Sequence, residues 1–330
     1  MMFTNWIYFW VPKVSFVLSS ITNALLLSFA QYSNSAISGD YQSLIGLYVA
    51  WNVCSSIWNL NVTLAVQNVN YTAVIFITDG FFTDSRAPVA VILGQLSLNF
   101  GNFAIITTHF IYRFVFLRWS EKLSKFFKNW GILVVIAVIL VQTAIVFVSL
   151  LIAIPDNKVV GELYLREYFR ERYEVELSSV TMVAGNSNHE LIFWTWIVVA
   201  IVAFLICGHF TAWIVLGTET LHSLFTGNGM TLPLSYRTTK SHIKLSKMVF
   251  VLCSIPFLST ILLLVPLFCA SVFGVSVHEY IYLFPSLFYS MSNFLTPLSI
   301  ILYMPQMRNG LISYFYQAKN WMFPPNAVAP

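Results

Sequence analysis

APVAVILGQLSLNFGNFAIITTHFIY, Ala87–Tyr112, runs from end to end without an Asp, Glu, Lys or Arg, and a basic segment, Arg113–Lys128, follows at once. A bilayer core of about 30 Å takes about 20 apolar residues of helix, so this stretch is long enough to cross it. Working outward, six more charge-free windows appear: Val14–Gly39, Tyr41–Thr78, Asn129–Pro155, Leu191–Thr218, Met248–His278 and Tyr280–Met307. The expected fold is an all-α bundle of seven transmembrane helices, at about 8–31, 41–67, 87–118, 130–154, 190–217, 243–272 and 280–304. Residues 1–304 then form one membrane domain, and 305–330 a tail with a short interfacial helix.

Composition excludes an ordinary soluble domain. Of 330 residues, 58% are hydrophobic and 9% charged, and the mean hydropathy is +0.76, against about 25% charged residues in a typical soluble protein. The net charge of +4 is spread over several connections, not gathered into the basic stripe of a nucleic-acid surface. Few residues precede the first window and they include no basic cluster, so the first helix is expected to act as its own uncleaved insertion signal. Cys54, Cys207, Cys253 and Cys269 all fall in helix windows and read as small hydrophobes.

Charge asymmetry sets the expected orientation. Arg118, Lys122, Lys125, Lys128, Arg237, Lys240, Lys244, Lys247, Arg308 and Lys319 fall on one side, opposed there by Asp40, Glu121 and Glu219. The other side is acidic, with its charge concentrated between Asp156 and Glu190. By the positive-inside rule the basic side is cytosolic, which puts the amino terminus outside and the carboxy terminus in the cytosol. Asn70-Tyr71-Thr72 is a glycosylation sequon in the first outside loop, consistent with that orientation and making Asn70 a candidate acceptor.

Several local readings follow. Tyr71–Thr78 is β-branched and aromatic and is expected to be an extended lid over the bundle. In the Asp156–Glu190 loop, Glu162/Arg166 and Arg170/Glu174 at i,i+4 predict a short helix laced by ion pairs. Arg118–Lys128 interleaves cations with Trp119, Leu123, Phe126 and Phe127, a basic amphipathic surface that suits either anionic headgroups or a docking partner.

Polar residues inside spanning helices are costly and therefore informative. Gln95, Asn99 and Asn102 stack on one face of the third helix; Asn52, Ser56, Asn59 and Thr63 on the second; Tyr282, Ser286, Tyr289 and Asn293 on the seventh. Such stripes either tie helices together or line a small-molecule cavity. The outer members Gln95, Asn99, Asn102, Tyr282, Ser286 and Tyr289 are the candidate ligand-binding set. The histidines are scattered, no zincin pair or other metal site is present, and no cofactor motif occurs, so no enzymatic chemistry is expected. Pro256, Pro266, Pro285 and Pro297 crowd the last two helices and mark places where a helix can bend.

At the inner end of the third helix stands His109-Phe110-Ile111-Tyr112-Arg113-Phe114, and here the chain resembles the nematode seven-transmembrane chemoreceptors of the Str superfamily, especially the srj and str groups. Asn5-Trp6, Pro12-Lys13, Asn23, Asp79-Gly80-Phe81-Phe82, Ile255-Pro256 and Thr296-Pro297-Leu298 extend the resemblance over the whole chain. It implies a G-protein-coupled chemosensory receptor in the plasma membrane of a sensory cilium. Such a receptor binds a small external chemical and activates a heterotrimeric G protein. Tyr112 and Arg113 align with the family's Tyr-Arg pair, and with Pro256 and Pro297 they are the expected switch. Thr296 stands where the family usually has Asp, and the His109–Phe114 segment carries no acidic partner for Arg113. The alternative is a subunit of a ligand-gated cation channel of the heptahelical odorant-receptor kind, which would place the amino terminus in the cytosol.

Overall fold

A computed structural model describes residues 6–32, 39–69, 71–79, 89–152, 162–186, 192–227, 236–275, 279–303 and 305–322. Seven long helices lie among them: α1 (Trp6–Tyr32), α2 (Gly39–Asn61), α3 (Ala90–Phe126), α4 (Ile132–Ile152), α6 (Ile192–Thr226), α7 (Tyr236–Phe273) and α8 (Glu279–Tyr303). Two shorter helices join them, α5 (Arg166–Tyr173) in the long connection after α4 and α9 (Pro305–Met322) after α8.

Helix burial follows composition. α4 is apolar on every side and buries only Val135, Ile139, Val146 and the preceding Gly131, while Leu133, Val134, Val138 and Val141 stand outward. A helix apolar all round, exposed in the isolated protein, has lipid as its natural solvent. On length and hydropathy alone, Phe9–Ala30, the continuous stretch Ala90–Ile152 and Val199–Thr226 qualify as spans among the described residues. α2 and α8 fall short on that measure because polar residues take their bundle-facing positions: Asn52, Ser55, Ser56 and Asn59 on α2, and Ser290, Ser292, Asn293, Thr296 and Ser299 on α8 are all buried.

The second helix ends earlier than expected. In place of a helix over 41–67, α2 stops at Asn61 and the chain enters β1 (Thr63–Val69), which pairs antiparallel with β2 (Thr72–Asp79). β2 pairs in turn with β3 (Met182–Asn186) from the far end of the α4–α6 connection, giving the order β1-β2-β3. Both faces of the hairpin are covered. Ala65, Val74 and Phe76 pack with Leu165, Phe169, Val180 and Met182 of the cap above; Leu64, Ile75 and Ile77 pack with Val62, Val91 and Ile92 below. A strand buried on both faces reads as a continuous apolar run, so neither charge nor hydropathy separates it from the end of a spanning helix. The extended segment expected at Tyr71–Thr78 is β2.

α3 runs to Phe126, but across a kink at Trp119, next to the expected end at 118; beyond the kink Leu123 packs against the core. One residue inside it, Trp119, is non-helical (φ −145°, ψ 52°), and a π-helical turn, Phe127–Gly131, carries the chain into α4. In α5 the expected i,i+4 pairs give way to an i,i+3 contact of Arg170 with Glu167 at 3.9 Å. Glu174 has left the helix with φ 55°.

At the hairpin tip, Tyr71 lies against Gly274, the residue that ends α7 with φ +65°. A left-handed C-terminal residue is where glycine is preferred, and here the Tyr71 ring fills the space a Cβ would need.

Candidate functional site

Beneath the sheet, the hairpin, α2, α3 and α8 enclose a small cavity. Leu64 and Val66 of β1, Ile75 of β2, Asn59, Leu96, Tyr289 and Ser290 line it, and its water-accessible volume is about 20 Å³, room for about one ordered water. Gln95 is buried beside it and its Nε2 donates to Asn59 Oδ1 at 3.4 Å. The Tyr289 hydroxyl lies within hydrogen-bonding reach of Gln95, yet neither that oxygen nor Gln95 Oε1 makes a well-formed hydrogen bond. Buried polar atoms are normally paired, so this corner has unmet capacity for a polar partner.

The candidate ligand-binding residues therefore divide. Gln95 and Tyr289 come together, with Asn59 as a third member. Asn99 donates to the Gln95 carbonyl at 2.8 Å within its own helix. Asn102 lies two turns from Gln95 with its Oδ1 unpaired. Tyr282 is fully buried against Val66, part of the packing between α8 and the hairpin. The side chain of Ser286 lies outside the described residues, as does Asn70.

Polar contacts below the cavity tie α1, α2 and α8 together. Asn52 Nδ2 donates to the Asn293 carbonyl at 2.6 Å and to Asn23 Oδ1 at 3.2 Å. Ser19 Oγ donates to the same carbonyl at 3.1 Å and meets Ser56 Oγ at 2.7 Å, and Ser15 Oγ donates to the Ser290 carbonyl at 2.6 Å. Pro297 explains why the Asn293 carbonyl is available: proline has no N–H, so the carbonyl four residues earlier lacks its helical donor. Pro256 has its own carbonyl claimed by Ser259 Oγ at 2.9 Å and Thr260 Oγ1 at 2.8 Å.

At the opposite end of α3 from the sheet lies an aromatic and cationic cluster. Arg113 is 8% exposed and its guanidinium stands 5.5 Å from the Tyr41 ring centroid, with Nε unpaired. A guanidinium over a tyrosine face is a favourable pairing that requires no carboxylate. Tyr112 packs at 5.3 Å from Tyr41, 6.0 Å from Phe116 and 5.1 Å from Phe127. His109 sits one turn back, edge-on to Tyr41 at 5.4 Å and to Tyr48 at 6.4 Å, with neither ring nitrogen bonded. One turn on from Phe114, Arg118 lies 4.3 Å from its ring and pairs with Glu219 of α6 at 3.1 Å.

A further polar group escaped the sequence reading. His209 of α6 is held at both ring nitrogens, by Thr107 Oγ1 of α3 at 2.7 Å and Gln142 Nε2 of α4 at 2.6 Å, and Trp213 Nε1 donates to the same Thr107 oxygen at 2.8 Å. With the Gln142 amide donating to Nε2, the proton sits on Nδ1 and is given to Thr107. The available signal was Gln142 itself, an amide deep in the most apolar window, which needs an interhelical partner.

A bundle of seven long helices with a polar interior, a cavity capped by the sheet and a cationic cluster at the far end of α3 is the architecture of a serpentine membrane receptor. The family described as Serpentine type 7TM GPCR chemoreceptor Srj matches residues 2–311, and the chain belongs to it. It is also similar to Serpentine receptor class J-38 of Caenorhabditis elegans, 22% identical over 319 residues that cover 95% of each chain. This is a receptor family rather than an enzyme family, multi-pass in the membrane, and it favours the receptor reading over a cation channel.

Proposed function

We propose that this chemoreceptor binds a small external molecule in the outer half of its bundle and activates a heterotrimeric G protein from the cytosolic end of α3. It is a plasma-membrane protein, of a sensory cilium by the same reading, with its amino terminus outside. The observation that carries the proposal is two buried polar side chains on one helix: Gln95 under the sheet, with its Oε1 unpaired, and Arg113 in the basic far end, stacked on Tyr41 with its Nε unpaired. A ligand acts only by favouring one arrangement of the bundle over another, and α3 links the two groups directly.

Two features support the division of labour. The outer corner offers amide and phenol groups among apolar walls, the chemistry of a small-molecule site. In this arrangement it has room for about one water, so a ligand binds there by favouring a more open arrangement of the hairpin and helices. The inner end has a buried cation held by an aromatic ring instead of an acid, so no ion pair must be broken to release it. The test is a calcium and cyclic-nucleotide assay in cells expressing the receptor with a G protein, screened against small odorants beside Arg113→Ala. A response abolished by the mutation, with surface level and ligand binding intact, supports the proposal. Normal G-protein turnover in the mutant rejects the role of Arg113, and a fast current that survives G-protein blockade rejects the coupling.

A further inference from the structure

The helical link between α3 and α4 presents two adjoining stripes. Lys122, Lys125 and Lys128 are exposed at i, i+3 and i+6, which spans about 9 Å at 1.5 Å per residue. Beside them Phe126 and Trp130 are 45% and 66% exposed, and Trp119, at the kink that precedes them, is 48% exposed. Leu123 and Gly131 turn inward and fix which side faces out. A single carboxylate, Glu121, stands among these cations, since Glu219 is taken by Arg118.

We propose that this face is a binding site for the headgroup of an anionic phospholipid carrying phosphomonoesters on an inositol ring. Charge selects an anion. The aromatic stripe selects a lipid over a soluble anion or a protein, because Trp130 leads without a break into the outward apolar face of α4 at Leu133 and Val134. Trp and Phe at that level sit among headgroups and upper acyl chains while the lysine stems reach for phosphate. Three ammonium groups within about 9 Å of helix match several phosphates on one ring better than the single phosphate of phosphatidylserine. Juxtamembrane cations near a membrane surface attract such anionic lipids, each adding to the binding.

The test is binding of short-chain fluorescent phosphatidylinositol bisphosphate to the full receptor in neutral detergent micelles, where membrane orientation plays no part. Phosphatidylserine, phosphatidylcholine and soluble inositol trisphosphate serve as comparisons. The bisphosphate lipid is expected to bind most tightly and to weaken with salt. Replacing all three lysines by Gln is expected to reduce affinity about tenfold or more, whereas replacement by Arg retains it. Phe126→Ala with Trp130→Ala is expected to weaken the lipid and leave the soluble headgroup unaffected. Equal binding by the Gln variant, by phosphatidylserine or by soluble inositol trisphosphate would overturn the proposal. So would a Gln variant that loses G-protein turnover while lipid binding persists, an outcome that assigns the face to a protein.

Discussion

Asn52 on α2 donates a 2.6 Å hydrogen bond to the main-chain carbonyl of Asn293 on α8, the residue four places before Pro297. The proline that weakens α8 thus creates the acceptor that fastens it to α2, and Ser19 of α1 shares that acceptor. Three helices meet at one carbonyl. A helix held this way can bend at Pro297 without leaving a polar group stranded, provided Asn52 and Ser19 move with it.

Asn52→Ala is therefore expected to destabilise the receptor by about 1–3 kcal/mol, because Asn23 Oδ1 loses this donor and the Asn293 carbonyl keeps only the longer bond from Ser19. In a Pro297→Ala background the backbone N–H is restored and the same substitution is expected to cost less. Thermal unfolding of the four proteins in one detergent measures the coupling. An equal cost in both backgrounds would show that the proline has no part in the contact.

His109 invites a substitution that separates stability from function. Its ring is buried between Tyr41 and Tyr48 with both nitrogens unbonded, and an unsatisfied buried polar atom costs about 1–3 kcal/mol. His109→Phe keeps a ring and removes the unpaired atoms, so the thermal midpoint is expected to rise. If the nitrogens find partners when the inner end rearranges, the same variant signals less at saturating ligand. A lower midpoint would show that His109 is paired in the resting receptor.

Gly274 is the point where the hairpin tip meets the end of α7. Gly274→Ala places a Cβ in a left-handed conformation, at about 1–2 kcal/mol, and also into the Tyr71 ring. Adding Tyr71→Ala is expected to recover the steric part and leave the conformational part. Limited proteolysis near residue 71, compared across the two single variants and the double variant, reads this out. Full recovery in the double variant would mean that the left-handed backbone carries no cost.

Legibility in the sequence followed the physics of each signal. The absence of charge marked the seven helices because lipid excludes charge, and the same signal carried the second helix too far, since Thr63–Val69 is shielded on both faces by protein. Arg118–Lys128 read as amphipathic, but that the helix resumes past the kink at Trp119 depended on Leu123 finding the core, a tertiary fact. Spacing put Gln95 and Tyr289 on candidate stripes and could not say that α2 would bring Asn59 to both. The Arg113–Tyr41 pairing joins positions far apart in the chain, and a search for an acidic partner had no reason to stop at a tyrosine.

Gln95 and Tyr289 give the sharpest test of where an external molecule sits. Tyr289 lines the cavity under the hairpin and Gln95 adjoins it through Asn59, each with an oxygen lacking a well-formed bond, whereas Asn99 spends its amide on its own helix. Gln95→Leu and Tyr289→Phe are each expected to raise the effective concentration of an activating ligand about tenfold, the weight of one buried hydrogen bond, with surface expression unchanged. Asn99→Ala is expected to do much less. Removing the phenol oxygen takes away a single atom, so a shift in Tyr289→Phe reports a polar contact and not a change of shape. Val66→Ala opens the ceiling of the same cavity and is expected to admit bulkier ligands of the same chemical type. Dose–response curves for the four variants against one activating odorant decide the matter: unchanged potency in both Gln95→Leu and Tyr289→Phe would move the ligand out of this corner.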